Sequence, residues 1–151
     1  MSTVRLLYCR TLSLKEPLSF ISTPIIRGVE WGPWSHEAIV MEDGQSVIDA
    51  TFTHGGVTER PLADVLAVSS QHDFREFEVP DAAAGYAWAR DQRGKPYDWR
   101  GTLGLGLHRD WQEDDAWWCS ELAEAFLAAC GLVRFINNPR RVTPQLSWMV
   151  R

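Results

Sequence analysis

Apolar and polar residues alternate along several short stretches of the chain, which predicts β-strands with one buried face. The clearest are residues 35–41 and 46–51, two extended segments joined by Glu42-Asp43-Gly44-Gln45. Asp-Gly between apolar runs is a strong hairpin signal, so we expect these two strands to pair. Residues 4–9 form a further strand-like run ahead of them.

Three more elements are predicted after the hairpin. Residues 57–62 indicate an edge strand, because Pro61 has no N–H to donate in the middle of a sheet. Residues 63–68 are typical of a helical turn. Residues 74–80 alternate apolar and charged side chains, as a half-exposed strand does.

Two longer helices are predicted in the second half of the chain. Asp81 is a candidate N-cap for a helix over residues 82–93, which Gly94 would close. A second helix covers residues 119–130 and ends at Gly131, and the sequence between the two helices has a loop-like composition. Strands followed by helices predict the α+β fold class, and we expect residues 1–151 to form a single domain.

Composition narrows the possible functions. The chain has 151 residues, of which 45% are hydrophobic, enough for one domain with a real core. Its formal charge is −5 and its Lys and Arg residues do not cluster beyond Arg140-Arg141, so we do not expect nucleic acid as a partner. The sequence contains no run of about 18 apolar residues, the length that would predict a transmembrane segment, and its N-terminus lacks a signal-peptide pattern. We therefore expect a cytoplasmic or virion-associated protein.

The three cysteines are Cys9, Cys119 and Cys130. An odd number at irregular spacing, without a C-x-x-C pair, favours neither a disulfide framework nor a zinc site. We therefore expect reduced thiols, no metal and no cofactor.

Cys119 begins the second helix directly after Trp117-Trp118. The free N–H groups and the positive dipole end of a helix N-terminus stabilise a thiolate over a thiol, and the thiolate is the nucleophile. A structural cysteine gains nothing from this position. The placement therefore predicts that Cys119 is a catalytic nucleophile.

A cysteine nucleophile needs a base, and His36 lies in a predicted strand that can hold its ring in one orientation. A lone strand histidine is more often a core residue, but the pairing with Cys119 favours catalysis. Asp49, across the hairpin, is a candidate for the third group that orients the imidazole, and otherwise is a solvent-facing strand acid. His54 is a second candidate for that orienting role.

Aromatic residues flank these candidates. Pro96 fixes a turn that can present Tyr97 to a pocket, and three residues lie next to the candidate catalytic side chains: Trp34, Ser35 and Trp118. We expect Tyr97 and these three residues to contact the substrate. The alternative for each tryptophan is an ordinary core position.

Four segments carry a shared pattern: Trp34-Ser35-His36; Val47-Ile48-Asp49-Ala50, followed by Gly56-Val57 and Pro61-Leu62; Gly94-Lys95-Pro96-Tyr97-Asp98-Trp99; and Trp118-Cys119-Ser120-Glu121-Leu122. With the tail Val142-Thr143-Pro144-Gln145-Leu146 they resemble the circularly permuted branch of the NlpC-type papain-like cysteine hydrolases, the YiiX-like group, which includes small phage-encoded members. The resemblance spans about residues 19–148.

This resemblance implies a permuted papain-like fold in which the Cys119 helix packs against a small antiparallel sheet that carries His36. It aligns Asp49 with the third polar position, where other permuted members often have Glu and unpermuted members have His. The family acts by hydrolysis or transfer at amide, thioester or ester carbonyls.

We therefore expect a cysteine-dependent amidase or peptidase that works through an acyl-enzyme. Its substrate would be a small-molecule, peptide or lipid-linked carbonyl compound, with peptidoglycan peptide as one candidate. Two alternatives remain: an acyltransferase or thioesterase for lipid-linked substrates, and a non-catalytic phage structural or adaptor module.

Overall fold

The computed structural model describes residues 1–11, 32–101, 115–136 and 142–150 of the chain. They form a mixed α+β structure built on a five-stranded antiparallel sheet, in agreement with the predicted fold class. The strands are β1 (Ser2–Thr11), β2 (His36–Val40), β3 (Ser46–Thr51), β4 (Gly56–Pro61) and β5 (Ser69–Val79). Their order across the sheet is β4-β3-β2-β1-β5.

The predicted hairpin is confirmed. β2 and β3 pair in antiparallel register with Ile39 opposite Ile48. The turn contains Gly44 at φ 66°, a conformation that glycine adopts without steric cost. β4 is an edge strand, as predicted, although it covers residues 56–61 and not 57–62. Both β1 and β5 are longer than the sequence pattern indicated.

The helices are α1 (Leu62–Ala67), α2 (Ala82–Asp91), α3 (Cys119–Ala129) and α4 (Pro144–Met149). None of these described helices has the length and apolar character needed to span a bilayer. Both α2 and α3 begin at the residues that the sequence predicts. Asp81 is the N-cap of α2, and its side chain accepts a hydrogen bond from Ala84 N at 2.9 Å. Gly131, at φ 89°, follows the C-cap residue Cys130 and ends α3.

One predicted helix is shorter than expected, and one further helix was not predicted. α2 ends at Asp91 and not at residue 93, because Gln92 is the C-cap and its N–H returns to the carbonyls of Ala89 and Arg90. α4 was not predicted as a helix. Its N-cap is Thr143, whose Oγ1 accepts from Leu146 N at 3.1 Å.

The sheet buries side chains on both faces. α2 and α3 cover one face, where Leu122 and Phe126 pack among β-strand residues such as Leu6, Ile39 and Ile48. A smaller cluster lies on the other face beneath Val65 of α1, and it includes Leu7, Cys9, Ala38, Val40 and Val47. Alternate residues of β1, β2 and β3 therefore supply the two clusters.

A short backbone connection joins the edge strand to the beginning of α3. Val57 N donates to Lys95 O at 2.9 Å, and Trp117 N donates to Pro96 O at 3.0 Å. Tyr97 and Trp117 form an isolated parallel bridge two residues before Cys119. The position of the first turn of α3 is thus tied to β4 through main-chain hydrogen bonds.

Gly56 permits the close approach on which this connection depends. We expect Gly56→Ala to lower the free energy of unfolding by at least about 3 kcal/mol. The added Cβ would overlap the carbonyl oxygen of Lys95, and the φ of 145° at this position strains any residue with a side chain. Gly55→Ala is the matched control: its φ is 76° but its Cβ would enter open space, so only backbone strain of about 1–2 kcal/mol applies. Urea unfolding of both variants tests this, and equal losses would contradict it.

Candidate active site

Cys119 is the first residue of α3, the helix that packs against β2 and β3. The N-cap residue, Trp118, is extended at φ −105° and ψ 167°, and its indole offers no acceptor to the first-turn N–H groups. The first regular helical hydrogen bond runs from Leu122 N to Trp118 O at 3.0 Å. Cys119 is 4% exposed.

The register of the sheet brings three charged or titratable residues onto one face. Ile39 lies opposite Ile48, so the same register carried along β2 puts His36 diagonal to Asp49. Val47 lies opposite Arg60 and Asp49 opposite Thr58, so Arg60 is diagonal to Asp49 on its other side. We call these residues, Arg60, Asp49 and His36, the diagonal ladder.

Asp49 accepts hydrogen bonds from both of its neighbours in this ladder. Its Oδ2 lies 2.7 Å from His36 Nε2 and 2.6 Å from an Arg60 Nη atom, and its Oδ1 accepts from Arg60 Nε at 3.2 Å. The Asp49 side chain is fully buried, and the other two are 12% and 13% exposed. Two donors thus satisfy a carboxylate that would be costly to bury alone.

The His36 imidazole also interacts with the Cys119 side chain, and this interaction raises the pKa of His36. Because Nε2 faces Asp49, Nδ1 is the ring nitrogen left for the sulfur. His36 is the first residue of β2, and Cys119 is the first residue of α3. The three residues singled out from the sequence are therefore neighbours, in the order Cys119, His36, Asp49.

These contacts decide the protonation states. Burial alone lowers the pKa of His36, but the interactions with Asp49 and Cys119 outweigh it and hold that pKa well above its usual range. Burial alone raises the pKa of Asp49, but hydrogen bonds and charges from His36 and Arg60 hold it below its ordinary value. Near neutral pH the site thus contains an imidazolium beside an ionised carboxylate.

A second polar group lies on the opposite face of the sheet. Strand alternation turns Glu37 away from His36 and under α3 and α4, where it is fully buried. Ser147 Oγ lies 2.9 Å from an oxygen of Glu37, 2.9 Å from an oxygen of Glu124 and 2.9 Å from Tyr8 Oη. Arg134 pairs with Glu124 and donates to Ser147 Oγ at 2.8 Å.

This group holds two buried carboxyl groups and one guanidinium. Burial, followed by the charges of Glu124 and of Cys119, raises the pKa of Glu37 well above its ordinary value, although Ser147 and Arg134 act in the opposite direction. Within the described part of the chain, Glu37 Oε2 has no hydrogen-bond partner. The raised pKa therefore favours the neutral acid form of Glu37.

The residues expected to contact substrate occupy different environments. Tyr97 is half-buried and its ring meets the exposed Phe52 edge-on at 6.1 Å between centroids. Trp34 and Ser35 are buried, with Trp34 packed against the Trp148 ring at 5.1 Å. Trp118 is fully buried in the core. Tyr97 is the one of the four with substantial exposure.

His54 and Asp49 were alternatives for orienting His36. His54 is exposed in the turn after β3, with Nδ1 2.9 Å from Thr51 Oγ1. The acid that contacts the imidazole is Asp49. Among the described residues, no group of three or more His, Cys, Asp and Glu side chains converges as metal ligands would.

Sequence reasoning missed Arg60 and Glu37. Arg60 is the diagonal neighbour of Asp49, so a cross-strand register for β3 and β4 could have found it. Glu37 lies in a strand buried on both faces, which an apolar run interrupted by one acid can indicate.

The chain matches no protein-family model and no curated protein sequence.

Glu37 should make stability depend on pH. Because its folded-state pKa is raised, the folded protein keeps a proton that the unfolded chain releases above about pH 4.5. The contribution of Glu37 to the free energy of unfolding therefore falls as the pH rises, by up to about 1.4 kcal/mol for each pH unit, until the folded-state pKa is reached. Glu37→Gln needs no proton, so we expect it to become more stable relative to wild type as the pH rises, measured by urea unfolding between about pH 5 and 8.

Glu42→Gln is the matched control for this measurement. Glu42 is an exposed acid paired with Arg90 at 2.5 Å, and this pairing holds its pKa below the ordinary value. Its removal should produce no stabilisation that grows with pH. A constant difference between Glu37→Gln and wild type over the whole range would contradict a neutral Glu37.

Proposed function

We propose that this protein is a cysteine-dependent hydrolase of carbonyl substrates with a permuted papain-like arrangement, in which Cys119 is the nucleophile. The observation that carries the proposal is that His36 hydrogen-bonds to Asp49 at 2.7 Å and also interacts with the Cys119 side chain. The chain order supports it too, since the strands that carry His36 and Asp49 precede the helix that carries Cys119. A sulfur, a base and an orienting acid are the parts of a covalent hydrolase.

The first half of the reaction forms a thioester. The Cys119 thiolate attacks the substrate carbonyl carbon, and the resulting oxyanion is stabilised by N–H groups at the beginning of α3, with Cys119 N as the first donor. The imidazolium of His36 then gives its Nδ1 proton to the leaving amine or alkoxide as the bond to it breaks. The products are an acyl-enzyme on Sγ and a neutral His36.

The second half releases the acyl group. His36, now neutral, removes a proton from a water molecule that attacks the thioester carbonyl, and the carbon–sulfur bond breaks. The acid leaves, and the thiolate and imidazolium are restored. Asp49 keeps the Nε2 proton in place in both halves, so that Nδ1 is always the nitrogen that exchanges protons.

Alkylation of Cys119 by iodoacetamide tests whether His36 activates the thiol. Preferential labelling alone is not enough, because burial raises the pKa of Cys130 to about 11 and Cys9 is fully buried, so both thiols react slowly in any case. We expect His36→Ala to slow alkylation of Cys119 at neutral pH by at least about tenfold, as measured by mass spectrometry over time.

His54→Ala is the matched control, since His54 is an exposed histidine on the neighbouring turn. It should leave the labelling rate of Cys119 unchanged. An equal rate in wild type and His36→Ala would exclude His36 as the activating base.

Turnover is tested with peptidoglycan fragments, acyl thioesters and acyl-lipids, comparing wild type with Cys119→Ala. We expect at least one class to be cleaved by wild type and not by the variant. Transfer of the acyl group to an added amine or alcohol in preference to water would instead identify an acyltransferase. Absence of turnover together with His36-independent labelling would favour a non-catalytic module.

A further inference from the structure

The charge arrangement around Asp49 goes beyond a three-residue site. Asp49 Oδ2 is shared between His36 Nε2 and an Arg60 Nη atom, while Asp49 Oδ1 accepts from Arg60 Nε. Arg60 therefore grips both carboxylate oxygens with two N–H groups, the forked geometry that fixes the plane of a carboxylate. A carboxylate held in this way cannot rotate Oδ2 away from the imidazole.

Burial makes this grip necessary. Asp49 is fully buried, and in the proposed reaction His36 becomes neutral once it has given up its proton. At that moment a buried carboxylate facing only a neutral imidazole would be poorly compensated. The guanidinium remains charged at every working pH, so it compensates Asp49 in both protonation states of His36.

We propose that Arg60 is a positioning residue of the Cys119–His36 site, which keeps the Asp49 carboxylate ionised and turned toward His36 Nε2. This inference rests on the proposed function, since it assigns Arg60 a part in activating Cys119. Arg60 acts through Asp49 and lies two strands away from β2, so it is not a catalytic residue.

The charge of Arg60 also limits how strongly the imidazolium is stabilised. The groups that face His36 are Asp49 from β3, Cys9 from β1 and Cys119 from α3, and Arg60 acts from β4 through Asp49. Asp49 stabilises the imidazolium, and a cation on the far side of Asp49 offsets part of that effect. His36 can then still release its proton to a leaving group.

The test compares Arg60→Met, which removes the charge and both N–H groups, with Arg60→Lys, which keeps the charge but not the fork. We expect Arg60→Met to slow iodoacetamide alkylation of Cys119 at neutral pH by about tenfold or more, since a misplacement of 1 Å can cost roughly a hundredfold. Its His36 titration midpoint, followed by NMR, should move to lower pH, because losing the Asp49 carboxylate from its place against Nε2 outweighs losing the more distant positive charge of Arg60. Arg60→Lys should retain a midpoint close to that of wild type.

A double-mutant cycle separates positioning from a general effect on folding. In an Asp49→Asn background the Arg60→Met substitution should change the alkylation rate by less than about twofold, because the group that Arg60 positions is already altered. Arg93→Met is the matched control. It removes an exposed arginine that pairs at 2.6 Å with Glu59, the residue that precedes Arg60 in the sequence. Arg93→Met should leave both the alkylation rate of Cys119 and the titration midpoint of His36 unchanged.

The outcomes distinguish this inference from the proposed function. If His36→Ala slows alkylation but Arg60→Met changes neither the rate nor the His36 midpoint, the role of Arg60 is overturned and the proposed function stands. If His36→Ala has no effect, the proposed function fails and the role of Arg60 fails with it. Arg60→Gln, checked for folding by circular dichroism, provides the same measurements if Arg60→Met does not fold.

Discussion

A buried carboxylate with two positively charged neighbours sets the geometry of this site. Asp49 lies between His36 and Arg60 on three adjacent strands, and both partners reach the same oxygen within 2.7 Å. This arrangement requires the β2–β3 and β3–β4 registers to be correct together, because a slip of one residue would move a partner to the other face. Formation of the site is therefore coupled to formation of the sheet.

The same strand alternation gives Cys119 two unlike neighbours. His36 and Glu37 are consecutive residues of β2 that point to opposite faces, and the charge state of each is influenced by the sulfur. One is held as an imidazolium by an acid, and the other is held as a neutral acid by burial.

The sequence was most informative where local chemistry determines structure. The hairpin turn at Asp43-Gly44, the Asp81 cap and Gly131 after α3 were each identified from residue type and position, because turns and helix ends depend on backbone conformations that few residues favour. The ends of strands were less well predicted, since β5 starts at Ser69 through pairing with β1. α4 was missed because a six-residue helix has little periodicity of its own.

For the candidate site, the sequence alone identified Cys119, His36 and Asp49, because a thiol at a helix start, a histidine in a strand and an acid in the paired strand are each unusual for their local setting. It did not identify Arg60 or the Glu37 group. Those residues become neighbours of the site only when β4 pairs with β3 and when α3 and α4 cover the sheet. Only the tertiary structure places Arg60 and the Glu37 group beside the site. Contacts between distant segments depend on strand register and helix packing, and the sequence of one segment specifies neither.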